Sequence, residues 1–87
     1  MNLDLIPDHM HDAVLRYVED GIEPGGFLEA VLCNDLKGAI MRADPTNKAI
    51  ISNWVDFVIW ELPGSCHGLV EKYQNWIAMG GLNGREK

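Results

Sequence analysis

Apolar residues recur every three or four positions in four stretches of this chain, the spacing that places them on one face of an α-helix. In the first stretch, for example, Met10, Val14 and Tyr17 share one face. A proline lies at or shortly before the start of each stretch, where it fits the first helical turn without losing a hydrogen bond. The pattern predicts an all-α fold, a compact single-domain bundle of four short helices over residues 7–20, 26–43, 45–62 and 65–78.

Residues that favour helix ends support these boundaries. Asp44 is a good N-cap and Pro45 fits the first helical position, so the third helix has the clearest start in the chain. Gly21 ends the first helix, and the glycines at positions 80 and 81 stop the fourth. We therefore expect one helical domain over residues 1–79, followed by a flexible C-terminal tail over residues 80–87.

The third predicted helix is apolar on two sides. Trp54 and Val58 lie on one side, and Phe57 and Trp60 lie on another. The two tryptophans are about 120° apart around the helix axis, so both are buried only if other helices surround this one. We expect it to be the helix against which the others pack. The alternative is that one tryptophan is an anchor at an interface, and Trp60 is then the one we expect to be exposed.

Composition sets the broad class of protein. Of the 87 residues, 47% are apolar and 23% are charged, which is ordinary for one globular domain. No apolar run approaches the ~20 residues of a membrane span, and no basic region followed by an apolar one indicates a secretory signal. The two cysteines, Cys33 and Cys66, are too few for a disulfide scaffold, and we expect free thiols in the cytosol.

Charge is distributed unevenly along the chain, whose net charge is −6. Residues 1–35 hold eight acidic residues and one basic residue, whereas residues 36–87 hold five and six. A negative field repels phosphate backbones and attracts basic surfaces. We therefore expect no direct binding of nucleic acid, and docking onto a basic protein surface is one use of this charge. The alternative is a solvated acidic face that aids solubility.

Two short motifs contain residue types that bind metal ions or act in catalysis: His9 with His11, and Cys66 with His67. His9 and His11 are two residues apart, so on a helix they point about 200° away from each other and cannot share a metal ion; they could chelate one only in an extended segment. Cys66 lies at the predicted start of the fourth helix, where a thiol pKa can fall, but the adjacent His67 is a poor base for it because neighbouring side chains on a helix diverge. We expect no metal site, no cofactor and no catalytic residue.

Two further features admit a structural and a functional interpretation. Asp35 and Arg42 are seven residues apart, about 10.5 Å along a helix. They fix helix packing or lie at its rim, or else they act in a groove that faces a partner. The Gly25-Gly26 corner could present backbone N–H groups to an anion, although Glu23 has the wrong sign for phosphate and glycine also serves the tight turn.

The segment around residues 6–78 contains three recognisable blocks: Ile6, Pro7 and His9 at its opening, a central block from Arg16 to Leu36, and a C-terminal helix with Trp76. The central block reads RYVEDGIEPGGFLEAVLCNDL. In these blocks the chain resembles a family of small uncharacterised accessory proteins encoded by tailed bacteriophages and prophages. The resemblance implies a non-structural phage protein that works in the bacterial cytoplasm and binds a host factor.

Together these observations lead us to expect a protein that is not an enzyme and that binds and modulates or inhibits a host protein with a basic surface, an anti-defence role included. A homodimer is also compatible with the two-sided third helix. The alternative is a small-ligand binder, such as a sponge for a signalling nucleotide, in which Arg16, Arg42 and Lys48 meet across a dimer. A Cys66-dependent enzyme ranks below both. The expected binding residues are Asp12, Glu19, Asp20, Glu23, Asp35, Arg42 and Trp60.

Overall fold

In a computed structural model that describes residues 1–85, the chain forms seven short α-helices and two 3₁₀ turns. The helices are α1 His11–Asp20, α2 Gly26–Leu32, α3 Leu36–Arg42, α4 Pro45–Ala49, α5 Ile51–Glu61, α6 Val70–Met79 and α7 Gly81–Arg85, and the turns are Asp8–Met10 and Gly64–Cys66. The described residues contain no strand, so the all-α class is confirmed. The radius of gyration is 12.0 Å, the size of a folded domain of this length, about 12 Å. The prediction of four helices is not confirmed.

The second predicted helix, over residues 26–43, is divided into α2 and α3 by a break at residues 33–35. Asn34 adopts a left-handed backbone conformation with φ of 62°, which asparagine tolerates better than most residues. Asp35 then caps α3, because its side chain accepts a hydrogen bond of 3.0 Å from the Gly38 N–H. A turn followed by a new cap therefore overrides the apolar spacing that continues through this region.

The third predicted helix is also divided, at Ile50, into α4 and α5. Ile50 has φ of −118° and ψ of 30°, outside the helical range. The predicted start is confirmed, since the Asp44 side chain accepts a hydrogen bond of 2.7 Å from the Asn47 N–H and Pro45 occupies the first turn. Helix α4 is thus a capped single turn, and α5 is the longer helix that carries both tryptophans.

The fourth predicted helix begins at Val70 instead of Ser65. Residues 64–66 form a 3₁₀ turn, and the next segment is extended. Gly68 has φ of 103° and donates a hydrogen bond of 2.7 Å to the carbonyl of Leu32 at the end of α2. The segment between the turn and α6 is therefore held against the end of α2 by its backbone instead of continuing a helix.

The stretch predicted as a flexible tail forms a seventh helix over residues 81–85, and residues 86–87 lie outside the described part of the chain. Helix α7 packs against α1. A Cβ on Gly81 would lie 2.6 Å from the backbone nitrogen of Gly21, and both glycines have φ of 68°. The backbones approach closely because neither residue has a side chain. Asn83 adds a hydrogen bond of 2.7 Å to the Asp20 carboxylate.

Aromatic side chains from α1, α5 and α6 form the centre of the core. The Tyr17 hydroxyl donates to the carbonyl of Cys66 at 2.6 Å, and the Trp76 indole donates to the carbonyl of Tyr17 at 2.9 Å. The Tyr17 ring also stacks on Tyr73 with centroids 5.5 Å apart. Helix α5 contributes Trp54 to the core, but it is not surrounded by the other helices, because its opposite face is exposed. The expected central position of this helix is therefore wrong.

Candidate functional site

The exposed face of α5 carries three large apolar side chains, and the exposed Ser52 and Asp56 lie between Ile59 and Trp60 around the helix axis. Val55 is 42% exposed, Ile59 is 51% exposed and Trp60 is 77% exposed, so Trp60 is in solvent, as in the alternative interpretation of the two tryptophans. The opposite face of the helix is buried in the core through Trp54, Phe57 and Val58. A large aromatic side chain held in solvent on a fixed helix is the kind of group that dominates protein interfaces.

A groove runs along one border of this face, and we call it the α5 groove. It consists of two adjoining cavities, one of about 50 Å³ towards the first turn of α3 and one of about 240 Å³ towards residues 67–68. Both cavities are lined by Val31, Asn34 and Val55. Trp60 does not line either cavity, and helical geometry places it about 100° from Ile59 around the axis. The α5 groove is lined by Val31, Asn34, Asp35, Leu36, Ile51, Val55, Val58, Ile59 and His67.

The wall opposite α5 is produced by two backbone features. The left-handed conformation of Asn34 ends α2 and starts the corner before α3. The hydrogen bond from Gly68 to Leu32 brings residues 67–68 beside that corner. After the corner, Leu36 is exposed, although an unbroken helix would place it on the buried side. The groove therefore exists because the second predicted helix is interrupted at residues 33–35. The segment before α6, which was predicted to belong to the fourth helix, packs at that break.

Among the described residues, His67 is the one with a buried side-chain polar atom that lacks a hydrogen-bond partner. Its Nε2 atom is buried and forms no hydrogen bond within the described residues. Loss of solvent around the ring lowers the pKa of His67, and the nearby Lys72 ammonium lowers it further. The imidazole is therefore neutral at pH 7. A buried polar atom without a partner costs about 1–3 kcal/mol.

The predicted acidic residues do not gather at one place. Asp35 lines the groove, whereas Asp12, Glu19 and Asp20 belong to α1 and none of them lines it. Glu23 follows α1 and lies close to Tyr73. Desolvation by burial is the main cause of the raised pKa of the Tyr73 phenol, and the Glu23 carboxylate adds to it. All of these carboxylates are exposed. The structure thus separates one acidic residue at the groove from an acidic surface on α1.

The side chains of Asp35 and Arg42 both lie beside Gly38. A Cβ on Gly38 would lie 2.8 Å from the Asp35 Cγ and 3.0 Å from the Arg42 Nη1. A Cβ on Gly26 would lie 3.1 Å from the Arg42 Cδ. The side chain of Arg42 therefore lies across the start of α2 and over α3, which favours the interpretation that it fixes helix packing.

The remaining candidates for chemistry have separate partners. His9 Nε2 lies 3.3 Å from an Asp44 carboxylate oxygen, whereas His11 Nε2 lies 3.1 Å from the carbonyl of Ile6. Cys66 is fully buried, and desolvation raises the pKa of its thiol to about 12. Within residues 1–85, no group of three or more His, Cys, Asp or Glu side chains is placed to hold a metal ion.

The same residues include no helix whose length and apolar character would let it cross a bilayer. No protein-family model matches the sequence, and no curated protein and no solved structure matches it. Sequence reasoning missed the groove, because Val31, Leu36 and His67 belong to separate elements. The signals that point to it are Asn34-Asp35, a typical turn and cap, and the second apolar side of α5.

Proposed function

We propose that this protein is a non-enzymatic accessory protein of a bacteriophage or prophage that binds and modulates or inhibits a protein of its bacterial host, in the host cytoplasm. The observation that carries this proposal is the exposed face of α5, with Val55, Ile59 and Trp60 in solvent. Large apolar side chains exposed on one helix face mark it as a candidate interaction surface, and tryptophan is enriched among the residues that dominate binding energy.

The charge of the chain supports a basic partner surface. The net charge is −6, and the carboxylates on α1 and after it are exposed. Such a field accelerates association with a basic protein surface and opposes direct contact with nucleic acid. A nucleic-acid-binding groove on a host enzyme is one surface of that kind. Where that enzyme acts in defence against phages, blocking its groove would be an anti-defence activity.

The geometry favours protein binding over the binding of a small ligand. The larger cavity, about 240 Å³, is smaller than the roughly 300–1,000 Å³ of typical ligand sites. Its walls are mainly apolar, and Asp35, which lines the adjoining smaller cavity, repels phosphate. A nucleotide sponge built on Arg16, Arg42 and Lys48 would need a dimer that brings these exposed side chains together. An enzyme that uses Cys66 would need a thiolate that burial opposes.

Replacement of the exposed tryptophan tests the proposed function. Wild-type protein, Trp60→Ala and a control, Leu69→Ala, are immobilised and exposed to a lysate of bacteria infected by a tailed phage, and retained proteins are quantified by mass spectrometry. Leu69 is 57% exposed and lies outside α5. We expect a host protein that wild type and Leu69→Ala retain equally and that Trp60→Ala retains at least about tenfold less. Retention that is equal in all three proteins would contradict the proposal.

Self-association is the competing use of the same face. A homodimer through α5 would cover Trp60 without any host protein. Light scattering at micromolar concentration separates the two uses, since the proposal predicts a free Trp60 and a monomer before the host protein is added. A stable dimer that Trp60→Ala dissociates would assign the face to a second copy of this chain.

A further inference from the structure

We infer that the α5 groove receives an aliphatic side chain from a basic amphipathic segment of the partner, with a lysine or arginine of that segment paired to Asp35. This inference rests on the proposed function and deepens it, because it gives the chemistry of the partner. It concerns the groove, whereas the test of the proposed function concerns Trp60, which lies outside the groove.

The size and lining of the groove indicate an aliphatic side chain. The larger cavity has a volume of about 240 Å³ and is bordered by Val31, Val55 and Ile59. That volume is below the range of sites for whole cofactors or nucleotides, roughly 300–1,000 Å³, but it accommodates one or two branched side chains. Full burial of such a side chain contributes about 1.5–3 kcal/mol. The partner therefore gains affinity by inserting a leucine-like residue here.

The polar groups at the groove indicate the charge of the segment. The Asp35 carboxylate lines the groove and gives one oxygen to the Gly38 N–H at 3.0 Å, which leaves acceptor sites for a cation. Among the described residues, no lysine or arginine lines either cavity, although Arg42 Nη1 lies beside Asp35 at Gly38 and Lys72 lies near His67. A basic residue next to the inserted side chain is therefore complementary, while an acidic one would meet a like charge.

His67 adds a polar ring to the lining of the larger cavity. Its Nε2 atom is shielded from solvent and has no partner within the described residues, so a bound segment reaches that atom only if the imidazole turns. The groove thus combines an apolar cavity, a carboxylate and an imidazole.

The same features disfavour a second copy of this chain as the occupant. An isologous contact through the groove brings the same surface of two chains together, and each chain carries a net charge of −6. Asp35 and the exposed Asp56 on α5 would face like charges. A partner segment with positive charge avoids this repulsion.

Two synthetic peptides of about sixteen residues provide the probe. One is an amphipathic helix with leucines on one face and lysines elsewhere, and the other has glutamate in place of lysine. Binding to ¹⁵N-labelled full-length protein is followed by the shifts of the amide signals of Val55, Ile59 and Gly68. We expect the lysine peptide to shift these signals saturably and the glutamate peptide to bind at least about tenfold more weakly.

Matched variants locate the binding. Ile59→Asp and Val70→Asp place the same charge at positions of similar exposure, 51% and 52%, but only Ile59 lines the groove. We expect Ile59→Asp to weaken the lysine peptide about tenfold or more and Val70→Asp to weaken it less than about threefold. Asp35→Asn, which keeps a capping side chain, should weaken the lysine peptide severalfold.

Three results would overturn the inference: equal binding of both peptides, equal binding by Ile59→Asp and Val70→Asp, or the same signal shifts on concentrating the protein alone. If the peptide fails to bind while Trp60→Ala still loses the host protein, the inference is wrong and the proposed function stands. If the peptide binds as expected but no host protein depends on Trp60, the groove chemistry stands and the proposed function is wrong.

Discussion

The indole nitrogen of Trp54 donates a hydrogen bond of 3.0 Å to the side-chain oxygen of Asn47, and both side chains are buried. The bond crosses the break at Ile50 and therefore joins α4 to α5. Asn47 also donates its backbone N–H to Asp44, which caps α4. The orientation of α5, and with it the exposed face that we assign to binding, depends on this chain of hydrogen bonds.

Asn47→Ala should destabilise the fold. The substitution leaves the buried Trp54 nitrogen without an acceptor, which costs about 1–3 kcal/mol of unfolding free energy. Urea denaturation followed by circular dichroism measures the change. Asn75→Ala, an exposed position on α6, is the control and should change the free energy by less than about 0.5 kcal/mol. Equal effects of the two substitutions would show that the Asn47–Trp54 bond is not formed.

Gly81→Ala should separate α7 from α1. A methyl group at this position would lie 2.6 Å from the Gly21 nitrogen and 2.8 Å from the Asp20 nitrogen, at a backbone φ of 68°. Both the clash and the left-handed conformation oppose alanine, so we expect a loss of about 1–3 kcal/mol. Gly64→Ala is the control, because a Cβ there meets nothing within 4 Å. Hydrogen exchange of α7 amides that is unchanged in Gly81→Ala would contradict this packing.

Helix ends with a local chemical cause could be predicted from the sequence, and breaks with a tertiary cause could not. Asp44-Pro45, Gly21 and Gly80 end or start helices as expected, because capping and left-handed geometry are properties of those residues. Ile50 carries no such signal, and the break there is spanned by the Asn47–Trp54 hydrogen bond, a tertiary contact that spacing along the chain does not encode. Helix α7 likewise depends on contact with α1 instead of on its own propensity.

The candidate site was predictable only in part, for the same reason. The angle between the two tryptophans on one helix, which is a local property, showed that Trp60 is exposed unless other helices surround α5, but it did not decide between these two outcomes. The α5 groove forms where α2, α5 and the segment before α6 come together. The backbone hydrogen bond from Gly68 to Leu32 holds that segment against α2. No spacing along the chain encodes that contact, so His67 was not among the predicted binding residues.

Stability should decrease in alkaline solution. Burial raises the pKa of Cys66 from 9.0 to about 12 and raises the pKa values of Tyr17 and Tyr73 above their ordinary range. The folded state therefore holds these protons more tightly than the unfolded state, so the unfolding free energy falls as pH rises above about 9. Urea midpoints between pH 8 and pH 11 measure this dependence. Midpoints that stay constant over that interval would contradict the burial of these groups.

Stability should also decrease in mildly acidic solution because of His67. Desolvation lowers the pKa of its imidazole below the ordinary 6.5, so the unfolded state binds the proton more readily than the folded state. The unfolding free energy therefore falls as pH decreases through about 6.5. We expect His67→Gln to show a shallower fall between pH 7 and pH 5.5 in urea denaturation. Identical slopes in the two proteins would show that His67 is hydrated in the folded state.

Photo-crosslinking from position 60 tests the central claim most directly. A photoreactive phenylalanine derivative replaces Trp60 in one protein and Leu69 in a control, and both proteins are irradiated inside living bacteria infected by a tailed phage. Mass spectrometry then identifies the adducts. We expect position 60 to give an adduct with one host protein that has a basic surface, and position 69 to give none. Adducts of position 60 only with a second copy of this chain, or the same adducts from both positions, would contradict the assignment of the α5 face to a host partner.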